Sequence, residues 1–233
     1  MNILDKNYRY EKKYLLNPIN AQFLKYKLSL ILKKDTHYNG VYYIRSLYFD
    51  DLYNTSYHEK VDGIKERSKY RIRIYNLDSS YISLELKGKN NDVSYKERNL
   101  ISREEFFDLI NGNYDTIDIN NRSVLKDFIY KRKNNLIPAV VVDYKRLAFI
   151  YEVEDVRITF DEDIKSGMFN YDLFDENMNL FDVLESNEVI LEVKYNTRFP
   201  SMLKKILKGT SMIEISSSKY ALCMERKGID LWY

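Results

Sequence analysis

The sequence predicts an α+β fold, in which a closed or nearly closed antiparallel β-barrel of about eight strands is covered on its outside by helices. Five strand-like runs carry charged residues at alternate positions: RYEKKYLL, KYRIRIY, ISLELKG, VSYKERN and VILEVKY. Side chains of a strand alternate between the two faces of the sheet, so each run has one charged face and one mostly apolar face. Several segments with apolar residues at helical spacing are available to cover the apolar face.

An antiparallel sheet with one solvated face would give the same alternation. Solvated faces usually mix Thr, Ser and Gln with Lys, whereas Arg, Lys and Glu recur here with few neutral polar residues. A barrel with a charged lumen reverses the arrangement of small barrels, whose interior is filled by apolar side chains. Because burying many like charges in a dry, empty lumen is prohibitive, such a lumen must be wet and suited to an anion.

The strands and helices are predicted from this alternation and from capping and turn signals. Asn17-Pro18 is typical of a helix N-cap and first helical position. Ser102 and Glu105 form a capping box before an apolar run. The predicted strands cover about residues 8–15, 42–51, 67–76, 80–88, 93–101 and 139–152 and the runs VRITFDEDI and VILEVKYNT. The predicted helices cover about residues 17–33, 54–63 (helix or loop), 103–111, 123–133, 201–208 and 217–226.

The long run after Pro138, AVVVDYKRLAFIYE, is expected to be a strand that is broken or bent near Leu147 or paired as a hairpin. No linker, repeat or low-complexity segment separates these elements, so the sequence predicts a single domain over residues 1–233.

Composition excludes several classes of protein. Hydrophobic residues make up 45% and charged residues 31%, which is typical of a globular chain rather than a disordered one. The net charge is only +2, from 37 basic and 35 acidic residues. The predicted charged face is far more basic, with ten bases against three acids: Arg9, Lys13, Lys69, Arg71, Arg73, Lys87, Lys96, Arg98, Arg146 and Lys194 against Glu11, Glu85 and Glu192. The remaining surface is then net acidic, so we expect no nucleic-acid partner.

One cysteine excludes an internal disulfide, and two histidines exclude a zinc site built from His and Cys. The chain begins without an apolar signal region, and its longest apolar run is of strand length. We therefore expect a cytoplasmic protein with no direct membrane insertion.

The concentrated basic face suits a ligand with several negative charges together with a metal ion, such as polyphosphate or a nucleoside triphosphate. Arg71 and Arg73 lie two residues apart on one predicted strand, so both can donate to adjacent phosphates. The sequence lacks the GxxxxGK[ST] loop of P-loop proteins, so an ATP-binding protein of this kind must hold the phosphates by side chains.

Eight segments resemble, in order, the motifs of the VTC domain: RYEKKY, YFD, YRIRIY, ELK, YKER, DYKR, LEVKY and SSKY. The VTC domain is the polyphosphate polymerase module of the vacuolar transporter chaperone complex and its bacterial relatives. It is part of the triphosphate tunnel (CYTH-like) superfamily. The resemblance runs from Arg9 to about Arg226. It implies an antiparallel β tunnel in which basic residues bind a triphosphate, a glutamate holds Mn²⁺ or Mg²⁺, and the γ-phosphoryl group of ATP is transferred to a polyphosphate chain.

The resemblance also implies roles for individual residues. The residues expected to bind phosphate are Lys13, Arg71, Arg73, Lys87, Lys96, Arg146 and Lys219. The residues expected to be catalytic are Arg71, Arg73, Lys87, Arg146 and Glu192, with Glu192 as the metal ligand. Lys60 or Arg67 would add one more basic contact.

The hydrolytic branch of the superfamily has Glu-x-Glu-x-Lys in its first strand, and Arg9 takes the first position here. This favours the polymerase branch over the thiamine-triphosphatase or adenylate-cyclase branch. A triphosphatase acting on inorganic triphosphate or nucleotides stays an alternative, as does a non-enzymatic polyphosphate-binding module, because water and a phosphate chain can occupy the same acceptor position.

Further acids could join the metal site. Asp50 and Asp51 could be a metal-binding pair, although acids at a strand end are more often turn formers. Glu11 and Glu85 could either orient basic neighbours or contact the metal.

Other residues have simpler interpretations. His37 and His58 are expected at the surface and Cys223 as a packed thiol. Trp232 and Tyr233 are expected to make a packing contact at the terminus.

Overall fold

The computed structural model describes residues 10–36, 40–91, 93–185 and 187–228, and within them the chain has the predicted α+β class. Arg9, His37, Trp232 and Tyr233 lie outside the described residues. The strands are β1 (Tyr10–Leu16), β2 (Lys33–Lys34), β3 (Val41–Asp50), β4 (Glu66–Tyr75), β5 (Asp78–Asn90), β6 (Val93–Ile101), β7 (Ile137–Tyr151), β8 (Val156–Ser166), β9 (Phe181–Asp182), β10 (Val189–Tyr195) and β11 (Ile213–Glu214). The helices are α1 (Pro18–Ser29), α2 (Thr55–Val61), α3 (Arg103–Asn111), α4 (Ser123–Asn134), α5 (Ser201–Lys208) and α6 (Lys219–Arg226).

The strands form one antiparallel sheet in the order β11-β1-β10-β8-β7-β3-β4-β5-β6, with β2 added to β7 and β9 to β8. In the part of the chain that the structure describes, no hydrogen-bonded pairing joins β6 to the opposite margin, so the predicted closed barrel is not confirmed. The two margins nevertheless face each other, because Lys87 Nζ of β5 lies 3.2 Å from Glu11 Oε2 of β1. The sheet is therefore strongly curled, with a concave and a convex face.

Helices cover the convex face as predicted, in two hydrophobic cores. In the first, Phe106 of α3 and Phe128 of α4 pack against Ile72 and Leu84 of the sheet. In the second, α1 and α5 pack against β8 and β10 through residues such as Leu24. These cores contain the apolar members of the alternating runs, so the opposite, charged members project from the concave face.

Helix α6 departs from the prediction that helices lie only outside the sheet. Its residues Tyr220, Cys223 and Met224 pack in a third hydrophobic cluster with Ile44, Val142 and other side chains of the concave face. The concave face is therefore charged over one part and apolar over the other, and α6 covers the apolar part. Cys223 is buried in this cluster, which confirms that it is a packed thiol.

Local signals in the sequence are largely confirmed. The Asn17 side chain accepts from the amide of Asn20 at the start of α1, and both contacts of the Ser102–Glu105 capping box are present. Strand β7 is continuous from Ile137 to Tyr151, so the expected break near Leu147 and the expected hairpin are wrong. Its register shifts relative to β3 between residues 138 and 140 and relative to β8 between residues 143 and 145.

The loop after β3 is organised by Asp50 and Asp51. Asp50 accepts hydrogen bonds from the backbone amides of Ser56 and Tyr57, and Asp51 accepts from the amide and hydroxyl of Thr55. These contacts confirm that the two acids form a turn and cap α2.

His58 lies half-buried on α2 rather than at the open surface. Among the described residues, no helix combines the length and apolar character needed to cross a membrane.

Candidate functional site

Charged residues from seven strands and one helix meet on the concave face, and we call this set the charged cluster. Its members are Glu11, Lys13, Lys69, Arg71, Arg73, Glu85, Lys87, Lys96, Arg146, Asp161, Glu192, Lys194 and Lys219. The strand register explains the meeting, because it places Lys13 opposite Glu192, Arg71 opposite Glu85 and Arg146 opposite Asp161. Opposite charges directly across a strand pair stabilise the sheet. All seven predicted phosphate ligands and Glu192 belong to the cluster, while their roles stay predictions.

Glu85 organises one side of the cluster. Its Oε2 atom accepts from Arg71 Nε at 2.7 Å and its Oε1 atom from Lys96 Nζ at 3.1 Å. Arg71 also donates to the hydroxyl of Tyr48 at 2.8 Å. Burial alone would raise the pKa of Glu85, but the charges of Arg71, Arg73 and Lys96 outweigh burial and lower the pKa. The carboxylate is therefore ionised and fixes both cations.

Arg73 has no carboxylate partner among the residues that the structure describes. It donates to Ser46 Oγ at 3.0 Å, to the hydroxyl of Tyr144 at 3.4 Å and to the hydroxyl of Tyr75. A guanidinium carries five N–H donors, so Arg73 keeps donors for a ligand on the concave face. It is a buried cation that an anion would neutralise.

Asp161 and Glu192 share two cations on the other side of the cluster. Arg146 donates to Asp161 through Nε at 2.6 Å and Nη2 at 2.7 Å, and its Nη2 lies 3.4 Å from Glu192. Lys219 Nζ lies 2.5 Å from Asp161 and 2.6 Å from Glu192. Burial would raise the pKa of Glu192, but Lys219, Lys194 and Arg146 together lower it well below its usual range.

Glu11 gathers three lysines near the margin of the sheet. Its carboxylate lies 3.2 Å from Lys13, 3.2 Å from Lys87 and 3.8 Å from Lys194. Glu11 raises the pKa of Lys87, but burial and repulsion from Lys194 and Lys13 outweigh this and lower it to about 8. Glu11 and Glu85 thus both orient basic neighbours, which was one of their two predicted roles.

Tyr144 joins the two sides of the cluster. Its hydroxyl accepts from Arg73, and its ring lies under Arg146 Cζ at 5.2 Å and Lys219 Nζ at 5.0 Å. These distances are typical of cation–π contacts. The cluster is therefore continuous from Lys96 to Lys219.

A cavity of about 200 Å³ leads from the cluster to solvent. Lys60 and Arg67, which were alternatives for one further basic contact, both line it, together with Lys13, Lys69 and Lys87. Burial and repulsion from Lys87, Lys13 and other cations lower the pKa of Lys69 well below its usual range. The cavity wall is thus dominated by cations that repel one another, a condition that a bound polyanion would relieve.

The sequence prediction missed several members of this site. Asp161 had a usable signal, because Arg157, Thr159 and Asp161 alternate with apolar residues in VRITFDEDI. Tyr48 and Tyr144 had none, since 22 tyrosines occur in the chain and nothing in the sequence distinguishes these two.

The predicted metal ligand, Glu192, is held by cations on both carboxylate oxygens. Within the described ranges, no group of three or more His, Cys, Asp or Glu side chains is placed to hold a metal ion. Mg²⁺ is commonly held by one or two carboxylates, with water and substrate phosphates completing its shell. The role of Glu192 as metal ligand stays a prediction, because each of its two oxygens already contacts a cation of the protein.

Comparisons with known proteins agree with this geometry. The structure is similar to a Hippeastrum protein, HpAC1, named for adenylyl cyclase activity and described as having a dominant triphosphatase activity. The identity is 18%, over 97% of this chain and 99% of that chain, with a TM-score of 0.56. It is also similar to a Bacillus halodurans protein named for adenylate cyclase, with 15% identity over 92% of this chain and 96% of that one and a TM-score of 0.58.

No curated protein matches the sequence. The family model described as the VTC domain matches residues 8–226, nearly the whole chain. The chain therefore belongs to the VTC domain family and has the fold of the triphosphate tunnel proteins.

Proposed function

We propose that this protein is a metal-dependent polyphosphate polymerase that transfers the γ-phosphoryl group of ATP to a polyphosphate chain on the concave face of its sheet. One observation carries the proposal. The seven basic residues that correspond to phosphate ligands of the family meet on one face, and two of them, Lys13 and Lys87, line a cavity open to solvent.

Binding of the phosphates follows from the donors that the cluster leaves free. Arg73 lacks a carboxylate partner among the described residues, and Arg71 and Arg73 are neighbours on the concave face of β4. Arginine stays charged at any relevant pH and can donate to two phosphate oxygens at once. Lys13 and Lys87 then lie along the path to solvent, where the rest of the polyanion would extend.

Transfer of a phosphoryl group mainly requires in-line positioning and neutralisation of the charge on the transferring group. Arg146 and Lys219 are fixed side by side by Asp161 and Glu192, so both can hold the oxygens of the transferring group. Glu192 would hold the Mn²⁺ or Mg²⁺ ion, and the ion would supply further neutralisation of the phosphate charge.

The test is incubation of the purified protein with ATP and Mn²⁺, followed by gel analysis and phosphate release. Chains of polyphosphate on the gel are expected. Lys13→Ala should reduce their formation, whereas Lys33→Ala should not. Lys33 is a lysine of β2 that does not line the cavity; it is exposed and pairs with Glu152 at 3.2 Å. Equal loss in both variants would show that the concave face is not the site.

A tunnel triphosphatase is the second candidate, and α6 favours it. By covering one part of the concave face, α6 leaves less room there for a second phosphate chain. Free phosphate without chains in the same assay would support this candidate.

If neither chains nor free phosphate form, the protein is a polyphosphate-binding module. Calorimetry with tripolyphosphate then measures binding of the polyanion, which is the step that all three candidate functions share. We expect binding that weakens strongly with salt, because several ion contacts are screened together. We also propose a cytoplasmic location, which cell fractionation would test.

A further inference from the structure

We propose that Asp161 is a positioning residue, which aims Arg146 and Lys219 at the phosphate that reacts. The proposal rests on the function proposed above and adds to it a residue outside the predicted site. Asp161 is fully buried on the concave face of β8. Its two oxygens contact both cations, at 2.6 Å and 2.7 Å for Arg146 and 2.5 Å for Lys219.

The geometry around Arg146 determines which donors remain for a ligand. Asp161 accepts from Nε and Nη2, which are on one side of the guanidinium. Such a paired contact fixes the plane of the guanidinium as well as its distance. Nη1 makes no contact with another described residue in the hydrogen-bond network of the cluster, so its two N–H groups remain for a ligand.

Lys219 is fixed in a similar way. Its ammonium has three donors, of which one is directed at Asp161 and one at Glu192. The Tyr144 ring lies 5.0 Å away. One N–H group is left to contact a phosphate, and its direction is set by the two carboxylates together.

The contacts of Asp161 differ from those of a structural acid in the same protein. Asp50 is equally buried, but its oxygens accept from neutral donors, which are backbone amides of the turn and the hydroxyl of Tyr220 on α6. The contacts of Asp161 within the described chain go to two predicted phosphate ligands. A buried ion pair is weak evidence of stabilisation, since well-packed apolar residues often serve as well. Orientation of the two cations accounts for the acid better than stability does.

The first test compares Asp161→Asn with Asp163→Asn, which makes the same change at an exposed position of the same strand. Turnover of ATP by Asp161→Asn should fall roughly 10- to 100-fold, the scale expected for misplaced catalytic groups. The fall should be in kcat, with KM unchanged or lower because a negative charge near the phosphates is lost. Asp163→Asn should keep the activity of the unmodified protein. A rise in KM with unchanged kcat would overturn the proposal.

Asp161→Glu covers the case in which the asparagine variant does not fold. It keeps the charge but moves the carboxylate by one methylene group, so kcat should again fall while the melting temperature stays near that of the parent. Full activity of a folded Asp161→Glu protein would show that only the charge matters.

A double-mutant cycle gives a measurement that does not depend on turnover. Arg146→Ala should weaken the binding of tripolyphosphate, without metal, by roughly tenfold or more in the parent protein. In the Asp161→Asn background, Arg146→Ala should weaken binding no more than about threefold, because the Arg146 guanidinium is no longer oriented toward the phosphate. Equal effects in both backgrounds would overturn the positioning role. If the parent protein shows no turnover but the cycle shows coupling between Asp161 and Arg146, the proposed enzymatic activity is wrong and the positioning role of Asp161 stands.

Discussion

Replacing Glu192 by Gln should separate anion binding from turnover. The substitution removes one negative charge from the cluster and keeps the size of the side chain. Each cation that Glu192 contacts has a second carboxylate, Asp161 for Arg146 and Lys219 and Glu11 for Lys194. We therefore expect the variant to fold, to bind tripolyphosphate more tightly without metal, and to lose turnover.

The size of the affinity gain follows from the geometry. Lys219 Nζ lies 2.6 Å from Glu192 Oε1. A phosphate oxygen accepting from the same ammonium would lie about 2.8 Å beyond it, so the two negative oxygens are at most about 5.4 Å apart. Their repulsion is ~3 kcal/mol at an effective dielectric constant of about 20 and ~0.8 kcal/mol in bulk water. We expect binding to tighten by between roughly fourfold and a hundredfold.

Calorimetry in metal-free buffer measures the affinity, and chain formation from ATP with Mn²⁺ measures turnover. Glu152→Gln is the control, because Glu152 also pairs with a lysine, Lys33, but is exposed and lies outside both the charged cluster and the cavity lining. It should leave both quantities unchanged. Weaker binding by Glu192→Gln would refute the electrostatic argument, and near-normal activity would show that the metal is held elsewhere.

Three further outcomes can be checked with the same protein. Arg73→Ala should weaken tripolyphosphate binding by about 1.5–3 kcal/mol and lower turnover as well, because a charge-assisted contact is lost; unchanged affinity would remove Arg73 from the site. Since Lys87 has a pKa of about 8 and a bound phosphate stabilises its charged form, affinity should be greatest below pH 8 and fall as the pH rises above it; Lys87→Met should flatten this profile. Gly167→Ala should destabilise the fold by about 1–3 kcal/mol, because the added Cβ would lie 2.9 Å from Val141 Cβ in the middle of β7; an unchanged melting temperature would contradict this.

Alternation of residue types predicted much of the candidate site, because strand geometry leaves little choice. In YRIRIY and ISLELKG the charged residues had to share a face, and Arg71, Arg73 and Glu85 do so. The same reasoning would have found Asp161 in VRITFDEDI. It could not find Tyr144, whose role depends on which cations lie around its ring.

The position of α6 was harder to predict. Its pattern indicates an apolar face but not the partner of that face. The partial signal was in AVVV of β7, since consecutive apolar residues indicate a strand buried on both faces. Val141 packs on the convex side, and Val140 and Val142 pack against α6 on the concave side. Closure of the barrel could not be predicted from the alternation either. Alternation shows which side chains of a strand share a face, but it does not show whether the two marginal strands pair with each other.

The carboxylates of the charged cluster act as counter-ions built into the chain. They let a cavity rich in Arg and Lys fold before any ligand arrives, because Arg71, Arg146 and Lys219 each have a buried acidic partner. The same acids repel every phosphate that enters, so part of the attraction of the cations is offset. Weaker attraction shortens the residence time of a bound anion. If each turnover requires one condensed phosphate to leave before the next one binds, weaker binding allows that release to be faster.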